Sequence, residues 1–159
     1  MLLRKRAWDI MREEYPSVRD DASISQVIQA LEGGRKNSSD LNFVVVFDRS
    51  GAFKGVVSMW NIIQSIGPCL LSGLGLLEKE VNWDQAFHRA CRTCAQVDLG
   101  EYLQRDVPVV KPNDPLARIL EIFLGYRRGR AVVEEGGKII GIVVLADLYR
   151  EIGLALDQS

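Results

Sequence analysis

Histidine is nearly absent from this sequence of 159 residues, which holds one, His88, together with three cysteines and a formal net charge of -1. Each scarcity excludes something. An acyl-transfer triad would have to be built around His88. Neither a phosphate-binding Gly-x-x-x-x-Gly-Lys-Ser/Thr loop nor a dinucleotide-binding Gly-x-Gly-x-x-Gly motif is present. No catalytic constellation emerges, and the chain is read as not being an enzyme. Cys69, Cys91 and Cys94 are too few, and odd in number, for the disulfide framework of a small secreted domain, so a reducing compartment is expected. Lys+Arg 20 against Asp+Glu 21 gives no field that would attract nucleic acid or an anionic membrane surface. Long apolar runs are missing as well. The greasiest stretch, residues 62–77, is interrupted by Gly67-Pro68 and falls short of the roughly 20 residues that cross a bilayer as a helix. It reads as a helix end, a break and a buried connector. The opening Met1-Leu2-Leu3-Arg4-Lys5-Arg6 leads into Asp9, Glu13 and Glu14 rather than an apolar core, so it is not read as a secretory signal, and a cytoplasmic protein is expected.

What the sequence does have is ordinary globular composition, 47% hydrophobic and 26% charged, and an internal repeat. Displaced by 92 residues, 9–31 falls on 101–123 without a gap, so that Pro16 meets Pro108 and Val18 meets Val110. Ile24, Val27, Ile28 and Leu31 land on Leu116, Ile119, Leu120 and Phe123, both sets having the spacing of one buried helix face. Asp114-Pro115 reads as a capping carboxylate followed by a first-turn proline. A displacement of 86 aligns 43–67 with 129–153, placing Val46 on Val132, Gly55 on Gly141 and Gly67 on Gly153. The smaller displacement assigns six extra residues to the first copy's polar loop around Gly33–Asp40.

Each copy reads as β-α-β-β-α. Short strands follow the prolines near Ser17 and Val109. Phe43–Phe47 and Arg130–Val133 are β-branched strands, and Asp48–Gly51 and Glu134–Gly137 are hairpin turns. Strands return over Gly55–Ser58 and Ile139–Val144, and closing helices begin near Met59 and Leu145. Domains are placed at 1–67 and 100–159, with a helical connector over 68–99.

The ordered set resembles the CBS domain (the cystathionine β-synthase domain), which usually occurs as a tandem pair. The motifs are Asp9-Ile10-Met11 and Glu101-Tyr102-Leu103 ahead of a proline, the strand-turn-strand glycines, and the strand-to-helix junction. That junction is glycine, two hydrophobics, Thr or Ser, two variable residues, then Asp or Asn. It stands here as Gly55-Val56-Val57-Ser58-Met59-Trp60-Asn61 and Gly141-Ile142-Val143-Val144-Leu145-Ala146-Asp147. The resemblance implies an α/β fold of two copies packed about a pseudo-twofold axis, with clefts that take adenosyl ligands: AMP, ADP, ATP, S-adenosylmethionine or sometimes NAD. It also implies regulation rather than catalysis, and frequent homodimers.

On the same resemblance, Asp147 would hold ribose hydroxyls, the backbone near Val107 and Val109 would face adenine, and Val144 stands where a phosphate-binding hydroxyl belongs. Arg127, Arg128 and Arg130 would supply phosphate charge. In the first copy the corresponding residues are Tyr15, Ser17, Ser58 and Asn61, an acceptor without charge. Physically, a carboxylate at a helix start suits paired hydroxyl donors, and a hydroxyl beside helix N–H groups suits a phosphate oxygen. Asp147 acting only as a helix cap is the structural alternative.

His88-x-x-Cys91-x-x-Cys94 invites a zinc or redox reading, but a fourth ligand is missing, and no metal is assigned. Asn82 with Gln85 makes a capping box, and Phe87, Ala90, Cys91, Cys94 and Ala95 make one apolar helix face. Leu70, Leu71, Leu74, Leu76, Leu77 and Trp83 call for burial within the chain or across a dimer. The expectation is a regulatory pair, sensing an adenosyl ligand and signalling to a partner protein. The alternative is a ligand-free dimerisation or adaptor module.

Overall fold

Two β-branched runs become the centres of two small sheets. The computed structural model describes residues 4–73 and 82–157. In chain order the elements are α1 (Ala7–Ile10), β1 (Ser17–Arg19), α2 (Ile24–Arg35), β2 (Phe43–Phe47), β3 (Phe53–Ser58), α3 (Met59–Gly73) and α4 (Trp83–Cys94). A 3-10 turn at Leu99–Glu101 follows, and then β4 (Val109–Val110), α5 (Leu116–Tyr126), β5 (Arg130–Glu135), β6 (Lys138–Val144) and α6 (Leu145–Asp157). The class is α/β, as expected. Each sheet has three strands, in the orders β1-β2-β3 and β4-β5-β6. The first pair of each sheet is parallel and the second antiparallel.

The chain divides into two compact units that cut across the sequence copies: Pro16–Arg105 forms one, and Met1–Tyr15 joins Asp106–Ser159 in the other. Within the split unit, α1 places Ala7 and Ile10 in a core with Val110, Ile119, Phe123, Val133, Val143 and Leu148. Within the continuous unit, Leu99 joins Ile24, Val27, Leu31, Val44, Val46 and Val57, with Leu103 packed against them. The leading segment of each copy is thus built into the other copy's core. Matching backbone bridges fix both leaders. Arg12 and Ile142 exchange N–H···O bonds of 2.8 and 3.0 Å, and Gln104 and Val56 exchange bonds of 2.8 and 3.0 Å. These bridges cover the edges of β6 and β3, which would otherwise be open to pairing.

Strand register corrects the repeat alignment. Val45 lies opposite Val56 in β2–β3, whereas Val132 lies opposite Ile142 in β5–β6. The β2 residues therefore correspond to β5 at a displacement of 87, not 86, and Val46 matches Val133. Of the six extra residues, five fall before β2 and one in the hairpin turn. Runs of valine hide such a slip, although one residue reverses which face a side chain occupies. In the shorter turn, Gly136 and Gly137 both take positive φ, of 60° and 81°, as a two-residue hairpin requires. In the longer one, the Asp48 carboxylate accepts from Ser50 N, Ser50 Oγ and Ala52 N. The Ser50 hydroxyl, followed by the Ala52 amide, lowers its pKa.

Three other local expectations change. The break at Gly67-Pro68 does not occur, because α3 runs through it to Gly73. Pro68 is exposed, so the carbonyl one turn before it loses its partner where solvent can replace it. Asp114 does not cap α5. It accepts from Lys111 N at 2.8 Å, and Pro115 takes the N-cap position. On α4, Ala90 and Cys94 are buried, but Phe87 is 57% exposed. Leu71 and Trp83 are exposed within the chain, which leaves burial across a dimer as the way to cover them, while Leu74, Leu76 and Leu77 lie outside the described residues.

Both leader bridges need glycine opposite them. A Cβ on Gly55, whose φ is +146°, would stand 2.2 Å from the Gln104 oxygen, and one on Gly141 would stand 2.9 Å from the Arg12 oxygen. Gly55→Ala is expected to lower stability by about 3 kcal/mol and Gly141→Ala by about 2 kcal/mol in urea unfolding. Gly67→Ala, helical and with nothing within 4 Å, serves as the control and is expected to be neutral or slightly stabilising.

Candidate functional site

In the split unit, β6 runs directly into α6, and Asp147 occupies the first turn of that helix, where its negative charge suits the exposed N–H groups. The residue is 8% exposed. Its carboxylate is held from an unexpected direction. Arg12 Nε donates to Oδ2 at 2.8 Å and Arg12 Nη2 to Oδ1 at 2.9 Å, a bidentate charge pair. The reason lies in the leader. Its backbone is bonded to Ile142, two residues before the end of β6, which carries the Arg12 side chain to the start of α6. Arg150, one turn along α6, stands 3.5 Å from Oδ1. Asp9, Ile10, Met11, Arg12, Asp147, Arg150 and Glu151 line an open cavity of about 360 Å³. Glu151 is itself held by Lys5 at 2.9 and 3.0 Å.

The remaining candidates on this unit are spread out. Val144 is buried at the end of β6 and brings no polar group to the junction. Val107 is buried, while Val109 is exposed on β4, the outer strand of its sheet. Arg127 and Arg128 end α5. Arg127 is left-handed (φ 54°), and its N–H and that of Arg128 donate to the Leu124 and Phe123 carbonyls. Arg128 is exposed. Burial first, then the Arg128 charge, lowers the pKa of Arg130. Burial raises the pKa of Tyr15.

The continuous unit carries the other junction, and its chemistry differs. Ser58 is buried and Asn61 half-buried. Ser58 N and Oγ both donate to Asn61 Oδ1 at 2.9 Å, and Asn61 N donates back to Ser58 Oγ at 3.2 Å. Asn61 Nδ2 reaches Gln64 Oε1 at 3.3 Å. Serine and asparagine therefore satisfy one another at the start of α3. Ser17 is exposed on β1. A second open cavity of about 570 Å³, along α4 beside Gln85, His88, Arg89, Arg92 and Thr93, contains none of the predicted site residues. Among the described residues no group of His, Cys, Asp and Glu is arranged to hold a metal ion.

Arg12 and Arg150 are the residues that sequence reasoning missed. Arg150 was within reach, being one turn from Asp147 on a helix. Arg12 was not, since 135 positions separate it from Asp147.

The chain belongs to the CBS domain family, which it matches over residues 7–67 and 99–154. No curated protein matches it. Among solved structures it is similar to the CBS-domain protein ATU1752 of Agrobacterium tumefaciens, at 18% identity over 93% of both chains and a TM-score of 0.67. The CBS domain pair of protein MJ0100, in complex with 5'-methylthioadenosine and S-adenosyl-L-methionine, matches at 15% identity over 96% of this chain and 99% of that one, TM-score 0.69. CBSX2, in complex with AMP, matches at 16% over 95% and 98%, TM-score 0.65. At such identities the likeness establishes the fold.

Arg12→Ala would leave the Asp147 carboxylate facing Arg150 alone. It is expected to cost about 1–3 kcal/mol in chemical denaturation, against less than about 1 kcal/mol for Lys5→Ala at the more exposed pair.

Proposed function

We propose that this chain is a non-catalytic regulatory CBS pair that binds an adenosyl ligand at the Asp147 junction and passes the binding event to a partner protein. The observation that carries this reading is the pairing of an almost fully buried carboxylate with a flexible cation at the rim of an open cavity. Two ribose hydroxyls can replace the two Arg12 N–H donors at Asp147, since both present two hydrogen-bond donors to one carboxylate. The displaced guanidinium can then meet an anion of the ligand. A nucleotide phosphate, or the carboxylate of S-adenosylmethionine, supplies one, and Val144, which offers no hydroxyl, need not do so. The adenosyl complexes of MJ0100 and CBSX2 support the ligand class.

Ligand binding would change the position of the leader, because Arg12 is bonded to β6 through its backbone and to α6 through its side chain. Differential affinity for the two leader positions is what would carry the signal. Homodimerisation through α6 fits the same reading. Leu145, Tyr149 and Ile152 are exposed at spacings that put them on one helix face, an apolar stripe that invites a second helix. Among the described residues no helix is long and apolar enough to cross a membrane, and we place the protein in the cytoplasm.

A specific observation favours the adaptor reading as the second. Both junctions are already satisfied internally, Asp147 by Arg12 and Ser58 by Asn61. Thermal shift separates the two. With AMP, ADP, ATP, S-adenosylmethionine and NAD, a ligand at 100 times its Kd stabilises by about 2.7 kcal/mol, a melting rise of roughly 5–11 °C for a chain this size. The nucleotide reading expects such a rise with at least one of them, its loss in Asp147→Ala, and a smaller rise with adenosine than with AMP. No rise with any of the five at millimolar concentration selects the adaptor module.

A further inference from the structure

The outer face of α4 is lined with hydrogen-bond donors. Ala90 and Cys94 fix the inner side of the helix, and Cys94 is bonded to Cys69 of α3. Gln85, His88, Arg89, Arg92 and Thr93, all exposed, line the open cavity of about 570 Å³. Their spacing of three and four residues makes them neighbours on one side of the helix. His88, which the sequence set beside two cysteines, therefore shares its cavity with two arginines instead.

Nothing on the helix answers that positive charge. Among the described residues neither Arg89 nor Arg92 has a hydrogen bond or an ion pair. Arg35 and Arg118, by comparison, each meet a glutamate one turn away on their own helices. Three or four positions from Arg89 stand Gln85, Ala86, Arg92 and Thr93, and from Arg92 stand His88, Arg89, Ala95 and Gln96, none of them acidic. Like charges three apart on a helix repel. The helix dipole favours Arg92 in the last turn, but Arg89 lies too far back to benefit. An external anion would relieve the repulsion.

We propose that this face of α4 is a binding site for a phosphoryl group, separate from the Asp147 junction and independent of the nucleotide reading there. Charge and donor number select among anions. Two guanidinium groups match the nearly double charge of a phosphate monoester. Its three terminal oxygens can accept from both arginines, from the Thr93 hydroxyl, and from the Gln85 amide or the His88 ring N–H. A carboxylate brings one charge and two oxygens, and leaves the pair half neutralised. A soluble phosphate ester and a phospholipid headgroup both carry the required group.

The full chain is titrated with inorganic phosphate and with pyrophosphate by calorimetry and thermal shift, at constant ionic strength made up with sodium chloride. Saturable binding and a rise in Tm are expected. Arg89→Gln/Arg92→Gln should weaken the binding by about tenfold or more, as the loss of charged hydrogen bonds implies. Both residues are exposed, so the circular dichroism of the double variant should match the wild type, and Arg89→Gln alone decides the question if the double variant does not fold. Arg12→Ala, which removes the cation of the other cavity, should bind pyrophosphate as the wild type does, and so should Arg49→Gln, at an exposed turn. Co-sedimentation with phosphatidylcholine vesicles that contain phosphatidic acid, reversed by pyrophosphate, assigns the group to a lipid headgroup, and its absence assigns it to a soluble ester. No saturable binding of either anion to the wild type, or equal binding by the double variant, overturns the proposal.

Discussion

The structure depends on an exchange of leaders. Each copy begins with a short segment that pairs by two backbone hydrogen bonds with the returning strand of the other copy, Arg12 with Ile142 and Gln104 with Val56. Without that exchange each small sheet would present a bare edge, and each core would lack its closing apolar residues, Ala7 and Ile10 in one and Leu99 in the other. The two glycines opposite the leaders are the local condition for it. A side chain at Gly55 or Gly141 would occupy the space of the incoming carbonyl oxygen. The duplication thus has a physical consequence beyond repetition, because neither copy contains a complete core in its own continuous sequence.

That constraint explains which features were legible in the sequence and which were not. Strands and helices were readable because they follow from local spacing: Phe43–Phe47 is a strand over the very residues whose branching predicts it, and both closing helices start where the junctions place them. The buried faces were readable for the same reason, with Ile24, Val27 and Leu31 in one core and Ile119 and Phe123 in the other. The register of β2 was not, since consecutive valines look alike under a shift of one. Nor was the cap of α5, where Asp114 serves the preceding turn. The site was half legible. The family resemblance singled out Asp147 and Asn61; the partners of Asn61 are local, but Arg12, the partner of Asp147, could be found only where the fold closes.

Those partners show how far the copies have diverged. Asparagine in the first junction makes a neutral, local network with Ser58 and Gln64, each partner within one helical turn. Such a network costs little to bury, since every polar group finds a neighbour. Aspartate in the second junction has lost its neighbouring hydroxyl to Val144, and a buried carboxylate without a counter-charge would be costly. Arg12 answers that cost. At the matching place in the other leader stands Gln104, as suits a junction with no charge to neutralise. The difference between Arg12 and Gln104 therefore follows from the difference between Asp147 and Asn61.

The same pairing limits what can bind there under the nucleotide reading. A ligand that approaches Asp147 exchanges a charge-assisted bidentate pair for neutral hydroxyl donors, and it takes the carboxylate away from the Arg12 guanidinium in doing so. The exchange is more favourable if the ligand also returns a negative charge to Arg12, which replaces the attraction lost with Asp147. A plain nucleoside meets one of these demands, and an adenosyl group bearing a phosphate or carboxylate meets both. Selectivity at this junction then resides in the leader rather than in the helix start, so that a residue of the first copy, Arg12, sets the ligand preference at the second copy's junction.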